Sequence, residues 1–390
     1  MNPDLTHLVE RVTNLYEDLA FQAVRDWKAE DTGRHAIGYM PIYVPRELIH
    51  AAGMLPVGIL GAGDRLEIIR GDAYFQSYIC HIPRSTIELA LTQRLEALDG
   101  MLFPSICDVI RNLSGMWQML FPERYVRYVD LPQNFNPAVG GAFWRQELDT
   151  LRADLGRIAG REITDRELHN SVTVYNENRR ALRQLYEARS KRPWLFPTSE
   201  VYLVLRAGTV LPVEEHTEIV RRYLELAPLE NDRLEQDMSR VVLVGMFCEQ
   251  PPLGLLITLE RAGCWIVDDD LLLGLRWMGG DVPEEGDPLE NLVIAYLEQS
   301  AQTASVYQPE GNRGAWLVES VQHNVAEGVI FCAPSFCDPA LLEQPMLVAA
   351  LDQAEIPHTQ FKYSENTGQF AVIREQAGTF SDSIRLWSEA

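Results

Sequence analysis

The chain has 390 residues, of which 46% are hydrophobic, and carries a formal net charge of −22. That length exceeds one ordinary core, so two or three domains are expected, and the charge argues against nucleic acid, whose phosphates need Lys and Arg. No apolar run approaches the roughly 18–20 residues of a membrane span, and the polar, acidic start is unlike a signal peptide, so a cytoplasmic protein is expected.

In chain order, Leu8, Val12, Leu15, Leu19 and Val24 stand near helical spacing and predict one amphipathic helix over residues 5–30. Pro45 is placed to open a helix and Gly53 to close it. Pro56 and the apolar residues after it read as a strand. The next helix follows Cys80, with Pro83 in its first turn and Ile87, Leu91, Leu95 and Leu98 as its buried stripe. Residues 38–130 therefore alternate helix and strand, the pattern of a parallel sheet. Residues 145–236 read as helical, and Thr164 with Glu167 makes a capping box.

A second α/β region opens at Arg240. A strand is followed by a helix from Leu255 to Ala262, stopped by Gly263. Cys264 then starts another strand, which ends in Asp268, Asp269 and Asp270. Residues 287–312 are mixed and give no clear element. Residues 315–326 read as helix, 328–332 as strand, and a last helix starts near residue 367. The expected architecture is α/β: two flavodoxin-like or Rossmann-like doubly wound parallel-sheet domains, residues 1–145 and 237–390, with a helical segment over 146–236.

One phrase is written twice. Residues 99–108 read Asp-Gly-Met-Leu-Phe-Pro-Ser-Ile-Cys-Asp, and residues 327–338 read Glu-Gly-Val-Ile-Phe-Cys-Ala-Pro-Ser-Phe-Cys-Asp. An acid and a Gly precede a short apolar run of the kind buried in parallel sheets. Pro-Ser-x-Cys-Asp follows. Cys107 and Cys337 thus fall just past the carboxyl ends of strands, where α/β sheets build their sites. With one copy in each α/β half, both thiolates can face one object in the cleft, and a metal centre fits better than a disulfide in a cytosolic chain.

There are six cysteines. Cys264 and Cys332 read as small buried hydrophobes. Cys80, Cys107, Cys248 and Cys337 sit at strand ends or helix starts, where backbone N–H groups and the helix dipole stabilise thiolates. Asp108 and Asp338 read as helix N-caps. Asp268–Asp270 is either a solvated strand end or a group at the cleft. His81 is the histidine to watch as a proton donor. Arg84, Arg111 and Arg276 follow cleft segments and either meet an anion or form surface ion pairs. No G-x-x-x-x-G-K-[ST] loop is present, so ATP hydrolysis by this chain alone is not expected.

Taken together, several segments resemble the 2-hydroxyacyl-CoA dehydratase / class I benzoyl-CoA reductase family. They are Pro45 to Pro56, Cys80 ahead of Arg84-Ser85, Pro104-Ser-Ile-Cys-Asp-Val-Ile-Arg-Asn112, Tyr175-Asn-Glu-Asn-Arg179, Gly245-Met-Phe-Cys-Glu, Asp268-Asp-Asp270 and the second copy of the phrase, with a looser match in the tail around Gly368-Gln369. The resemblance spans nearly the whole chain. It implies a [4Fe–4S] cluster held by Cys80, Cys107 and Cys337 in the cleft; Cys248, which also ends a strand, is the reserve ligand. It also implies a homologous second active-site subunit, two ATP-hydrolysing iron–sulfur activator subunits, a ferredoxin as electron source and an acyl-CoA substrate. Gly245 to Pro252 and Ala333 to Pro345 are most similar to the benzoyl-CoA reductase branch, and there to the smaller active-site subunit. A dehydratase subunit and a non-catalytic relay or scaffold subunit are the alternatives.

Overall fold

The computed structural model describes residues 2–247, 251–304, 306, 313–364 and 369–388. Among the described residues, eight strands form two separate sheets of four, and every strand pairing is parallel. The first holds β1 (Ala36–Tyr39), β2 (Leu55–Gly58), β3 (Gly100–Pro104) and β4 (Tyr125–Val129) in the order β2-β1-β3-β4. The second holds β5 (Ser239–Val244), β6 (Cys264–Asp269), β7 (Gly328–Pro334) and β8 (His358–Tyr363) in the order β6-β5-β7-β8. The topology is the same twice over. The two copies of the repeated phrase are β3 and β7, in equivalent positions.

The acid that opens each copy has a structural task. Asp99 accepts the Ala36 N–H (2.8 Å) and its own N–H donates to the Ala36 carbonyl (2.8 Å). Glu327 does the same with Arg240, at 2.7 Å and 2.7 Å. Each acid thus pins the start of the central strand beside it. At the far end the Ser of each copy donates its N–H to the last residue of the edge strand: Ser105 to Val129 (2.9 Å), Ser335 to Tyr363 (2.7 Å). Between these fixed points Met101, Leu102, Phe103, Val329, Ile330 and Phe331 are fully buried. Truncating Leu102 or Ile330 to Ala would cost roughly 2–5 kcal/mol.

Four helices, Ala142–Ala159, Asp165–Lys191, Thr198–Ala207 and Val213–Leu226, fill the stretch between the sheets. The capping box at Thr164 and Glu167 is formed. The cores do not follow chain order. Helix Pro3–Glu17 buries Leu5, Leu8 and Val12 in the core of the second sheet, and helix Pro288–Gln299 buries Leu289, Leu292 and Tyr296 in that of the first.

Several local expectations need correction. The first helix is two, Pro3–Glu17 and Gln22–Ala29, because the Asp18 carboxylate accepts the Ala20 and Gln22 N–H groups and Phe21 takes a φ of 53°. The helix after Cys80 ends at Leu91, and Leu95 and Leu98 are buried from the turn that follows. In the stretch that gave no clear element, Asp287 caps and Pro288 opens helix Pro288–Gln299. Among the described residues, no helix is long and apolar enough to cross a membrane.

Candidate metal centre

Cys80, Cys107 and Cys337 are each the N-cap residue of a helix: His81–Leu91, Asp108–Leu120 and Asp338–Gln353. Asp108 and Asp338 are therefore not the caps expected of them but the first helical residues. The strands β3 and β7 deliver Cys107 and Cys337 to this position directly, which is what the repeated phrase encodes. All three thiols line one cavity of about 470 Å³. Its walls are largely apolar, with Pro41, Ile82, Ile106 and Leu342 among them. None of the three cysteines is in a disulfide.

The Cys107 sulfur accepts the N–H groups of Ile110 and Val109, so the first turn of its helix points at it. Burial nevertheless pushes the thiol up to about 11, and the neighbouring Cys337 adds to the rise. The thiolate form thus needs a cationic partner to persist at neutral pH. Among the described residues, no group of three His, Cys, Asp or Glu side chains is arranged to hold a metal ion. The three cysteines nevertheless share the one chamber.

The other nominated residues are scattered. His81 is buried, and burial with the adjacent Arg84 lowers its pKa to about 3, so it is neutral at ordinary pH and not an imidazolium donor. Arg84 pairs with Asp72 at 2.9 Å, and Arg111 is exposed on its helix. Arg276 lies on a different cavity, with its guanidinium 3.2 Å from the centre of the Tyr186 ring and 3.7 Å from Asp268. Cys248 falls outside the described residues, as does Gly368. Cys264 and Cys332 are buried in β6 and β7, as small hydrophobes would be.

The reading of Asp268–Asp270 as a solvated strand end is wrong. Asp269 is buried against Arg189 at 2.6 Å. Asp270 is buried and accepts the N–H groups of Gly245 (2.7 Å) and Met246 (3.0 Å). Asp268 accepts the Ser320 hydroxyl at 2.7 Å. The motif Tyr175 to Arg179 is likewise architectural. Asn176 exchanges hydrogen bonds with the Val282 backbone, 2.8 Å and 2.9 Å, and Arg179 pairs with the buried Glu47.

Sequence reasoning missed Glu343 and Arg313. Arg313 donates to Glu343 (2.8 Å) and to the carbonyls of Thr303 (2.9 Å) and Val306 (2.7 Å), and both side chains line the cysteine cavity. Glu343 lies six residues beyond Cys337 on the same helix, but Arg313 reaches it from 30 residues away, and no local pattern announces such a pair.

Known proteins share this sequence along its length. A family model described as 2-hydroxyglutaryl-CoA dehydratase, D-component, matches residues 41–384, which include all three cavity cysteines. The chain belongs to this family. A benzoyl-CoA reductase subunit from Thauera aromatica is 55% identical over 98% of this chain and 99% of its own. The (R)-2-hydroxyglutaryl-CoA dehydratase beta subunit of Acidaminococcus fermentans is 31% identical over 92% of this chain and 94% of its own. The (R)-phenyllactyl-CoA dehydratase beta subunit of Clostridium sporogenes is 29% identical over 91% and 93%. All three relatives are named as subunits.

Proposed function

We propose that this chain is an active-site subunit of an ATP-dependent benzoyl-CoA reductase, an oxidoreductase that dearomatises benzoyl-CoA to a cyclic dienoyl-CoA. The observation that carries the reading is the 55% identity along nearly the whole chain to a reductase subunit, set against 29% and 31% to dehydratase subunits. The work is cytoplasmic and shared: a homologous second active-site subunit supplies the other half of the site, and two ATP-hydrolysing iron–sulfur subunits fed by a ferredoxin supply the electrons.

The donor set fits a [4Fe–4S] cluster better than a single ion. Thiolates are the protein ligands of such clusters. Three sulfurs that share one chamber of about 470 Å³ suit such a cluster. Cys80, Cys107 and Cys337 would hold it, and one-electron transfer at low potential is the chemistry it would supply. Side-chain acids and bases cannot supply electrons. The chain's own residues do the rest: the apolar wall of Pro41, Ile82 and Ile106 keeps water from the sulfurs, and the Val109 and Ile110 N–H groups stabilise charge on Cys107.

Turnover by the assembled complex tests the reading. Given ATP, a low-potential donor and benzoyl-CoA, it should consume reductant in proportion to product. A complex that dehydrates a 2-hydroxyacyl-CoA with only a catalytic trace of reductant, and leaves benzoyl-CoA untouched, would be a lyase. This chain alone should not turn over in either assay.

A further inference from the structure

Charge is distributed unevenly around the cysteine cavity. Its described wall carries four charged side chains, Asp108, Asp338, Arg313 and Glu343. Asp108 and Asp338 are exposed on the first turns of their helices, where water and salt screen them. Arg313 and Glu343 are the pair inside. Their side chains are 19% and 7% exposed, and their charges meet at 2.8 Å. Glu343 also accepts the Ala304 N–H, and Arg313 donates to the Thr303 and Val306 carbonyls. Among the described residues of the wall, Arg313 is the one cation and Glu343 the one buried anion.

These bonds have a structural use: they tie the chain at Thr303, Ala304 and Val306 to helix Asp338–Gln353. A carboxylate is more than that task needs. A Gln at 343 would offer an oxygen to the same two donors, and a buried ion pair is seldom more stable than neutral packing of similar volume. Burial raises the Glu343 pKa, and the bonds from Arg313 and the Ala304 N–H limit the rise. What the carboxylate adds is a negative charge beside the thiols.

That charge bears on any electron placed in the cavity. Three helices begin at the three cysteines, so their positive ends lie at the cavity. Arg313 adds a full positive charge. Each of these stabilises an added electron and so raises the reduction potential of a group held by the thiols. Dearomatising a ring requires the opposite, a strongly reducing centre. Glu343 offsets Arg313 from inside the protein, where a charge is screened little.

We propose that Glu343 keeps the iron–sulfur cluster strongly reducing by cancelling the charge of Arg313 beside it. Glu343 acts through the field at the cluster and is not one of its ligands. The proposal rests on the reductase reading and its cluster, and adds which buried side chain sets the potential.

Redox titration of the complete, anaerobically assembled complex, followed by electron paramagnetic resonance, tests it. The signal of this chain's cluster is the one that Cys107→Ala removes. At mildly alkaline pH, Glu343→Gln should keep its iron and shift the reduction equilibrium about tenfold or more toward the reduced cluster, a rise of about 59 mV for one electron. Adding Arg313→Gln removes both charges and should return the midpoint close to the wild-type value. An unchanged midpoint in Glu343→Gln would overturn the proposal. So would a double variant that stays as high as the single one, since the shift would then come from altered packing. Should Glu343→Gln lose its iron, Arg313→Gln decides: it should lower the midpoint by a similar amount, and an unchanged value overturns the proposal. These outcomes leave the cluster assignment standing. A complex in which Cys107→Ala removes no signal would instead remove the cluster reading.

Discussion

At the scale of single residues, the molecule puts cysteine where helices ordinarily want Ser, Thr, Asp or Asn. Sulfur is a weak acceptor, so Cys107, whose sulfur accepts the Val109 and Ile110 N–H groups, caps its helix less strongly than an oxygen would, and a good cap is worth roughly 1 kcal/mol to a helix. Three cysteines at such positions around one chamber are what binding a ligand for sulfur would require. Asp270 shows the same trade. Burial raises its pKa to about 7, although the Gly245 and Met246 N–H groups pull the other way. The folded state therefore binds this proton more tightly than the unfolded chain, where Asp titrates near 3.9. The associated stability is fully present below about pH 4 and is lost as pH rises through 7, on the order of a few kcal/mol. Replacing Asp270 by Asn should flatten the fall in thermal midpoint between pH 5 and pH 8 relative to the wild type. Parallel pH profiles for the two proteins would mean that the carboxyl is ionised throughout.

Between elements, buried ion pairs clamp the helical segment to the sheets. Glu47, from the short helix Arg46–Ala51, is buried against Arg179 of Asp165–Lys191, and Asp269 of β6 is buried against Arg189 of the same helix. Removing one partner leaves a charge with no water and no counter-ion, which costs about 3–5 kcal/mol. Arg179→Met should lower the unfolding free energy by that amount in denaturant melts, and adding Glu47→Gln should restore most of it. If the double variant is as unstable as the single one, the pair is not what joins these helices. Such contacts show which structure was legible in the sequence. The repeated phrase specified β3, β7 and the places of Cys107 and Cys337, because an apolar run followed by Pro-Ser-x-Cys is local information. The pairing of Glu47 with Arg179 was not legible, because the two residues are 132 apart in the chain. β1 and β4 were not recognised as strands: the first is only four residues long and the second is half-buried. Helix Pro288–Gln299 was missed although Asp287-Pro288 is a good start signal, because the residues after it are mixed in character.

At the scale of the whole molecule, one topology used twice turns two distant cysteines into neighbours on a single cavity, and Cys80 joins them from the helix that follows β2. The charge of −22 does not conflict with an anionic thioester, because its phosphates can be met by Lys and Arg held locally or by the partner protein. The central claim is that these three thiols are the protein ligands of an iron–sulfur cluster. Iron and sulfide content of anaerobically purified protein, with Mössbauer spectra, tests it most directly in the wild type and in Cys80→Ala, Cys107→Ala, Cys337→Ala and Cys264→Ala. Four irons are expected in the wild type and in Cys264→Ala, and loss of most or all of them in each of the other three variants. Equal iron in all five proteins, or a wild type without iron, would contradict it.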